Sequence, residues 1–267
     1  MTDSNWKVVV DGDRLTISSD SFTFTTSGTD PMHVEAAVAE LQSAVRGTYG
    51  QYCGLSRAAE MVGERWGLLI VRDLLTGPKS AEELHTGLPR MSPKLVSRRL
   101  NELEHSGVVR TLDAPDNAAE QARYELTAYG RALEEAVLAF GRWGAAALAT
   151  PRAEDIVTDS SLMAALKATF RPETACDVSL SYELRIGDNL LNARIDDGVL
   201  EVGAGPLPGA DAKLDLGYML LALMAGDMTA ADVLATGQVR VDGDPALLDR
   251  FVEMFQLPRL PAPKVLA

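Results

Sequence analysis

The spacing of apolar residues along the chain predicts three segments of different secondary structure. Short runs of alternating apolar and polar residues over residues 6–24 predict a β-meander, and a helix follows from Asp30 to Gly47. Residues 50–150 carry apolar positions at helical spacing, interrupted by two strand-like runs. Beyond Pro151, the pattern predicts a helix, an antiparallel sheet, two helices, a strand and a last helix. We therefore predict an α+β protein with domains at 1–48, 49–150 and 151–267.

The middle segment has the element order of a winged helix-turn-helix. Ser80 and Glu83 are spaced as a capping box, and Ser92-Pro93 opens the next helix. Two predicted strands, at residues 108–112 and 123–126, follow that helix. In a winged helix-turn-helix, the second helix enters the major groove of DNA.

This second helix is predicted to have one apolar and one polar face. Its apolar face carries Val96, Leu100 and Leu103, and its polar face carries Lys94, Ser97, Arg98 and Asn101. Arg donates to guanine, Asn pairs with adenine, and Ser and Lys reach backbone oxygens. A helix face that only meets solvent is the alternative. The full predicted DNA-binding set is Arg90, Ser92, Lys94, Ser97, Arg98, Arg99, Asn101 and Arg123.

The charge distribution permits a DNA-binding face on an otherwise acidic chain. The 267 residues carry a net charge of −13, which argues against nonspecific coating by nucleic acid or anionic lipid. Residues 51–110, however, carry 9 basic and 7 acidic side chains. Screening over roughly 8 Å in physiological salt keeps distant acids from cancelling a local basic cluster. Asp113, Asp116 and Glu120 in the predicted wing loop argue against a strong wing contact.

The middle segment resembles the HxlR-type bacterial regulators over residues 50–148. The matching motifs fall in register along the chain: residues 53–78 from Cys53 to Pro78, Leu88-Pro89, Met91-Ser92-Pro93-Lys94, Ser97-Arg98-Arg99-Leu100, Leu103-Glu104 and Tyr124–Gly130. The resemblance implies a dimeric winged-helix transcription factor, more often a repressor, that binds an inverted repeat in double-stranded DNA. The apolar stripe Leu133, Val137, Phe140 and Trp143 also predicts a partner, usually a second copy.

Cys53 has two interpretations. It occupies the position that some HxlR-type members use to sense oxidants or electrophiles, and such a thiol needs access and a lowered pKa. Arg57, one helical turn further on, can help to lower that pKa. The alternative is a small buried cysteine without a sensing role.

The C-terminal segment resembles sterol carrier protein-like domains over residues 158–258. The matching runs are Gly209–Leu216, Ala225–Met228 and Gly237–Asp244. The resemblance implies an α/β sandwich with an apolar cavity for an acyl chain or similar hydrophobe. Ordinary core packing, or a purely structural domain, is the alternative. The predicted ligand-binding residues are Met219, Leu223, Met224, Met228, Leu234, Phe251, Met254 and Phe255.

The sequence offers little support for an enzyme. The three histidines have no partner at metal-ligand spacing, and no phosphate-binding lysine motif or nucleophile-elbow serine is present. We expect no metal, no cofactor, no membrane insertion and a cytoplasmic location. The overall prediction is a dimeric DNA-binding regulator controlled by a hydrophobic small molecule. A lipid carrier or interaction protein whose winged helix no longer binds DNA is the alternative that the acidity favours.

Overall fold

The computed structural model describes residues 7–11, 14–19, 22–27, 48–112, 122–148 and 155–259. The chain divides into two compact units, residues 1–64 and 65–267. The predicted helix from Asp30 to Gly47 and the wing-loop acids Asp113, Asp116 and Glu120 lie outside the described residues. The predicted domain divisions after residues 48 and 150 do not coincide with the division after Glu64 and stay predictions.

The first unit contains the predicted β-meander. Strands β1 (Lys7–Asp11), β2 (Arg14–Ser19) and β3 (Phe22–Ser27) form an antiparallel sheet in the order β1-β2-β3. The Thr16 and Thr25 hydroxyl oxygens lie 3.2 Å apart across β2 and β3. Helix α1 (Gly54–Val62) follows in the chain. Three consecutive strands paired in chain order confirm the meander.

The second unit begins with the predicted helix-turn-helix. Helix α2 (Gly67–Leu74) is followed by β4 (Lys79–Ser80), α3 (Ala81–Gly87) and α4 (Pro93–His105). The capping box at the start of α3 is confirmed, because Ser80 Oγ accepts from the Glu83 backbone N–H at 3.1 Å. The Ser80 backbone N–H donates in return to Glu83 Oε2 at 2.6 Å.

A hairpin and two helices complete the winged-helix part. Strands β5 (Val109–Leu112) and β6 (Arg123–Leu126) join β4 in a sheet of order β4-β6-β5. Helices α5 (Ala128–Arg131) and α6 (Glu134–Ala145) follow, so the single helix predicted after Thr127 is in fact two. A Cβ at Gly130 would lie 2.0 Å from the Val108 carbonyl oxygen, which shows how closely α5 approaches the start of the hairpin.

The C-terminal part is built around one five-stranded sheet. It runs through α7 (Asp159–Thr169), a 3₁₀ turn (Pro172–Thr174), β7 (Ser179–Ile186), β8 (Asn189–Asp196), β9 (Val199–Ala204), β10 (Ala212–Asp215), α8 (Leu220–Ala225), α9 (Ala230–Ala235), β11 (Arg240–Gly243) and α10 (Ala246–Met254). The strand order is β11-β10-β7-β8-β9, with β10 parallel to β7 and the other pairs antiparallel.

The helices of this part pack on one face of the sheet. Along β7, Tyr182, Leu184 and Ile186 are buried in the same core as Leu166 of α7 and Phe251 of α10. The intervening positions of β7 face the other side and are polar, as the alternating sequence predicted. The result is a two-layer arrangement of helices on a sheet.

Candidate nucleic-acid interface

Helix α4 presents one buried face and one exposed polar face. Val96, Leu100 and Leu103 are at most 2% exposed and anchor the helix to the rest of the winged-helix part. Ser92 caps the helix, its Oγ accepting from the Leu95 backbone N–H at 3.4 Å, and Pro93 occupies the first turn. The exposed side carries four of the predicted DNA-binding residues: Lys94, Ser97, Arg98 and Asn101.

The turn that leads into α4 is fixed by a histidine. His85 Nδ1 lies 2.8 Å from the Met91 carbonyl oxygen, and because a carbonyl only accepts, Nδ1 carries the proton. Met91 itself is fully buried, whereas Arg90 and Ser92 on either side of it are exposed. This anchoring places two further predicted residues at the N-terminal end of the polar face of α4.

Arg99 does not belong to this exposed face. Its side chain is only 12% exposed and forms an ion pair with Glu102, three residues further along the helix. Arg98, the preceding residue, is 58% exposed, and its Nε lies 3.9 Å from the same carboxylate. Of the two adjacent arginines, Arg98 is therefore accessible to a ligand, whereas Arg99 is largely covered and paired with Glu102.

Arg123, another predicted DNA-binding residue, is engaged by groups of the fold. Its guanidinium Nη2 lies 2.5 Å from the Pro78 carbonyl oxygen and 3.1 Å from Glu83 Oε2. The hydrogen bond from the Ser80 backbone N–H lowers the pKa of Glu83 below its ordinary value, and the positive charge of Arg123 lowers it further. Arg123 thus links β6 to the start of α3, and its contact with DNA stays a prediction.

Both carboxylates of α4 are engaged within the fold. Glu102 pairs with Arg99, and Glu104 Oε1 accepts from the Thr111 backbone N–H at 2.9 Å and from its hydroxyl at 2.7 Å. The Glu104 contact ties the end of α4 to strand β5, and nothing in the local sequence pattern indicated it. Because Glu102 and Glu104 are paired with neighbouring groups, the charged residues on the exposed polar face of α4 are Lys94 and Arg98.

A buried carboxylate in α2 was not predicted from the sequence. Asp73 is 2% exposed and is paired with Arg72, whose Nη2 lies 2.7 Å from Asp73 Oδ1. Burial raises the pKa of the Asp73 carboxyl, although Arg72 opposes the shift. Its only signal in the sequence is an acid within the apolar run of α2. Its contacts make it a structural element of the winged-helix part.

Cys53 is exposed, which argues against the interpretation as a small buried cysteine. It occupies the N-cap position of α1. The Ser56 backbone N–H, and next that of Leu55, lower the pKa of the Cys53 thiol. The expected help from Arg57 is not seen, because its guanidinium is paired with Glu60 at 3.0 Å. The sensing role of Cys53 stays a prediction.

The residues predicted to bind a ligand lie in the packed core of the C-terminal part or against it. Leu223, Met224, Phe251, Met254 and Phe255 are all at most 4% exposed. The rings of Phe251 and Phe255 stack with centroids 4.6 Å apart. The remaining three residues, Met219, Met228 and Leu234, are partly buried against the same cluster. Core packing accounts for all eight positions, and their assignment to a ligand stays a prediction.

Two other kinds of feature are not found within the described ranges. No group of three or more His, Cys, Asp and Glu residues there is arranged to hold a metal ion. None of the helices there is both long and apolar enough to cross a membrane.

The fold and the polar face of α4 define a winged helix-turn-helix protein, the class that comprises many DNA-binding regulators. The chain belongs to the HxlR-like helix-turn-helix family, whose sequence model matches residues 61–151. A second model, that of the alkyl sulfatase C-terminal domain, matches residues 149–261. The predicted sterol carrier protein-like identity of this part is therefore not confirmed.

Individual relatives match the winged-helix part. The uncharacterized HTH-type transcriptional regulator YvaP of Bacillus subtilis is 34% identical over 87 residues, which cover 33% of this chain and 80% of YvaP. The HTH-type transcriptional regulator YodB of the same organism is 32% identical over 89 residues, covering 33% and 79%. The structure of reduced YodB matches with a TM-score of 0.32 at 30% identity and covers 35% of this chain and 92% of that one. These matches each cover about a third of the chain.

Proposed function

We propose that this protein is a dimeric transcription regulator that reads operator DNA with helix α4. One observation carries the proposal: Lys94, Ser97, Arg98 and Asn101 are exposed together on a helix whose opposite face is buried. These side chains supply donors and an amide suited to phosphates and base edges. Membership of a helix-turn-helix family and the names of the relatives support the same reading. Such a regulator acts in the cytoplasm, where bacterial DNA lies.

A second copy of the chain completes the proposed regulator. Helix α6 leaves Phe140 57% exposed and Trp143 72% exposed, and Leu148 beyond its end is 63% exposed. Large apolar side chains exposed along one helix are typical of a surface that another protein covers. Two copies related by a twofold axis would present two α4 helices to an inverted repeat.

The proposed regulator acts as a repressor that a hydrophobic small molecule releases from DNA. Support for an effector comes from the C-terminal part, which has the helix-on-sheet layers expected of a sterol carrier protein-like domain. The matches to YvaP and YodB cover only 33% of the chain each. The match to the C-terminal domain of alkyl sulfatases agrees with an apolar ligand. The regulator names of the relatives favour a binding role over catalysis for the whole chain.

Selection of duplexes from a random DNA pool by the full-length protein tests the function. We expect an enriched inverted repeat with half-sites about 10 base pairs apart, one helical turn. Lys94→Ala/Arg98→Ala should abolish the enrichment, whereas Arg194→Ala, an exposed arginine on β8, should leave it unchanged.

A salt titration of the bound duplex provides the second arm of the test. Phosphate contacts give an affinity that falls steeply with salt. A folded, dimeric sample that enriches no motif and shows a flat salt dependence would contradict DNA binding. That result would favour the lipid carrier or interaction protein, whose support is the net charge of −13.

A further inference from the structure

Two adjoining cavities lie where helix α6 meets α7 and the end of the described chain. The inner cavity has a volume of about 370 Å³, and the outer cavity has a volume of about 640 Å³. Five residues line both of them: Arg142, Ala168, Thr169, Met224 and Leu257. The shared residues place the two cavities side by side.

The inner cavity is apolar. Helix α2 contributes Leu68 and Leu69 to its wall, and α6 contributes Leu138 and Phe140. On the side of α7 the wall is formed by small residues, Ala164 and Ala165 among them, which leave the space open. Its size falls in the range of roughly 300–1,000 Å³ that is usual for sites that take small molecules.

The outer cavity is cationic. Among the residues that the structure describes, its lining includes Arg142, Arg171 and Arg259 and no aspartate or glutamate. Arg171 is engaged with Glu173 and Gln256, at 3.0 Å and 2.8 Å. Among the described residues neither Arg142 nor Arg259 forms an ion pair, and Arg142 donates only to the Ala168 carbonyl at 3.2 Å. Residues 151–267 hold 18 acidic and 10 basic side chains. The cavity is therefore lined by three side chains of positive charge where this part of the chain is acidic on average.

We propose that the two cavities together bind one amphipathic anion, an alkyl chain with a carboxylate or sulfate head group. The chain lies in the inner cavity, and the head group accepts hydrogen bonds from Arg142 and Arg259. Charge complementarity carries this choice, since a guanidinium matches a planar or tetrahedral oxyanion and the apolar walls match a hydrocarbon. The site shares Leu223 and Met224 with the ligand-binding set predicted from the sequence, and the other six residues of that set do not line it.

The position of this site allows a bound ligand to influence dimerisation. Arg142 lies on α6, the helix proposed to meet the second copy, and the opposite wall belongs to the C-terminal part. A bound anion therefore contacts the dimerisation helix directly. This regulatory consequence rests on the proposed function, whereas ligand binding itself does not.

Titration calorimetry of the full-length protein with sodium decanoate, kept below its critical micelle concentration, tests the site. We expect one saturable site per chain, with decanol binding roughly tenfold or more weakly because it lacks the charge. Acetate, which has the charge without the chain, should show no saturable binding. Equal affinity for decanoate and decanol would overturn the role of the arginines.

Matched variants locate the binding. Arg142→Gln and Arg259→Gln should each weaken decanoate binding by roughly tenfold, and Arg142→Lys should restore part of it. Ala165→Trp should block the inner cavity, whereas Arg194→Gln on β8 should bind as the unmodified protein does. Arg259 is exposed and forms no hydrogen bond to another described residue, so Arg259→Gln tests the site even if Arg142→Gln unfolds.

The outcomes separate this proposal from the proposed function. Decanoate binding that none of the cavity variants alters, or no saturable binding at all, overturns the site. If the variants weaken decanoate binding but the protein enriches no DNA motif, the ligand site is supported and the proposed function as a DNA-binding regulator is contradicted.

Discussion

Lys167 and Glu134 join the C-terminal part of the second unit to its winged-helix part. The Lys167 Nζ lies 2.7 Å from Glu134 Oε1, which links α7 to the first turn of α6. Two further bonds cross the same junction: Arg142 donates to the Ala168 carbonyl at 3.2 Å, and the Thr76 and Ser160 hydroxyl oxygens lie 3.3 Å apart. Polar contacts from α6 and from the turn that follows α2 thus converge on α7.

The Lys167–Glu134 pair is expected to contribute little to stability. Its side chains are 32% and 40% exposed, so water and salt screen the attraction. Lys167→Met should lower the free energy of unfolding by less than about 1 kcal/mol, as exposed pairs do. Urea unfolding of this variant, Glu134→Gln and the double variant at low and high salt gives the coupling energy. A coupling that does not weaken at high salt would contradict this view of the pair.

The adjacent residues Arg98 and Arg99 should respond differently to substitution. Arg98→Ala is expected to weaken specific DNA binding by roughly 1–3 kcal/mol if the guanidinium pairs with a base. Arg99→Ala should mainly lower stability, because the side chain is 12% exposed and its partner Glu102 would lose the ion pair. Operator affinity and urea unfolding, measured on both variants, make the comparison. Unchanged operator affinity in Arg98→Ala would remove it from the interface.

The difference between these two arginines marks the limit of prediction from sequence. The caps and apolar stripe of α4 are local, so Ser92, Pro93 and the buried Leu100 predicted the helix and its buried face correctly. Neighbouring helical residues are about 100° apart around the axis. Which of two adjacent arginines is covered therefore depends on tertiary contacts that periodicity does not contain.

In the C-terminal part, too, the local structure could be predicted from the sequence and the tertiary contacts could not. Alternation along Tyr182, Leu184 and Ile186 predicted strand β7, and Asp197-Gly198 predicted the next hairpin, where both residues have positive φ. The location of a cavity was beyond the sequence, because its walls come from segments such as Leu69 and Leu257 that are distant in the chain. Apolar residues of a packed core and of a cavity wall have the same pattern.

Gly130 should tolerate no side chain. A Cβ there would lie 2.0 Å from the Val108 carbonyl oxygen, which accepts from the Thr127 backbone N–H at 3.0 Å. Gly130→Ala is therefore expected to destabilise the protein by roughly 1–3 kcal/mol, as overpacking does. Gly141→Ala on α6 is the control, because no described atom outside its own stretch of helix lies within 4 Å of its Cβ position. A helix-propensity gain of about 0.5–1 kcal/mol is expected there, and similar effects at both sites would refute the close approach.

Asp73 should make the protein less stable as the pH rises. Burial raises the pKa of its carboxyl above the unfolded value, with Arg72 and then Lys79 opposing the shift. The folded state therefore holds the proton more tightly, and this contribution to stability is lost as pH rises from about 3.9, the unfolded value, through the folded pKa. Subtracting the unfolding free energy of Asp73→Asn from that of the unmodified protein isolates this group.

The difference in unfolding free energy between the unmodified protein and Asp73→Asn is expected to decrease between pH 4 and neutral pH. The reason is that only the unmodified protein must ionise a buried carboxyl at position 73. Urea unfolding at several pH values measures it, and the other carboxylates cancel between the two proteins. A difference that stays constant with pH would show that Arg72 balances the desolvation of Asp73, and one that increases would show that Arg72 outweighs it.

Cys53 should react faster with electrophiles near neutral pH than an ordinary thiol. The Ser56 and Leu55 backbone N–H groups at the start of α1 lower the pKa of its sulfur, and the side chain is exposed. In a Cys176→Ser variant, the rate of alkylation by iodoacetamide is expected to rise with a midpoint below the ordinary value of about 8.5. Ser56→Ala should move this midpoint only slightly, because the largest effect comes from the Ser56 backbone. The same variant unfolded in urea should return to the ordinary midpoint, and a folded midpoint at or above it would leave Cys53 without the activation that sensing requires.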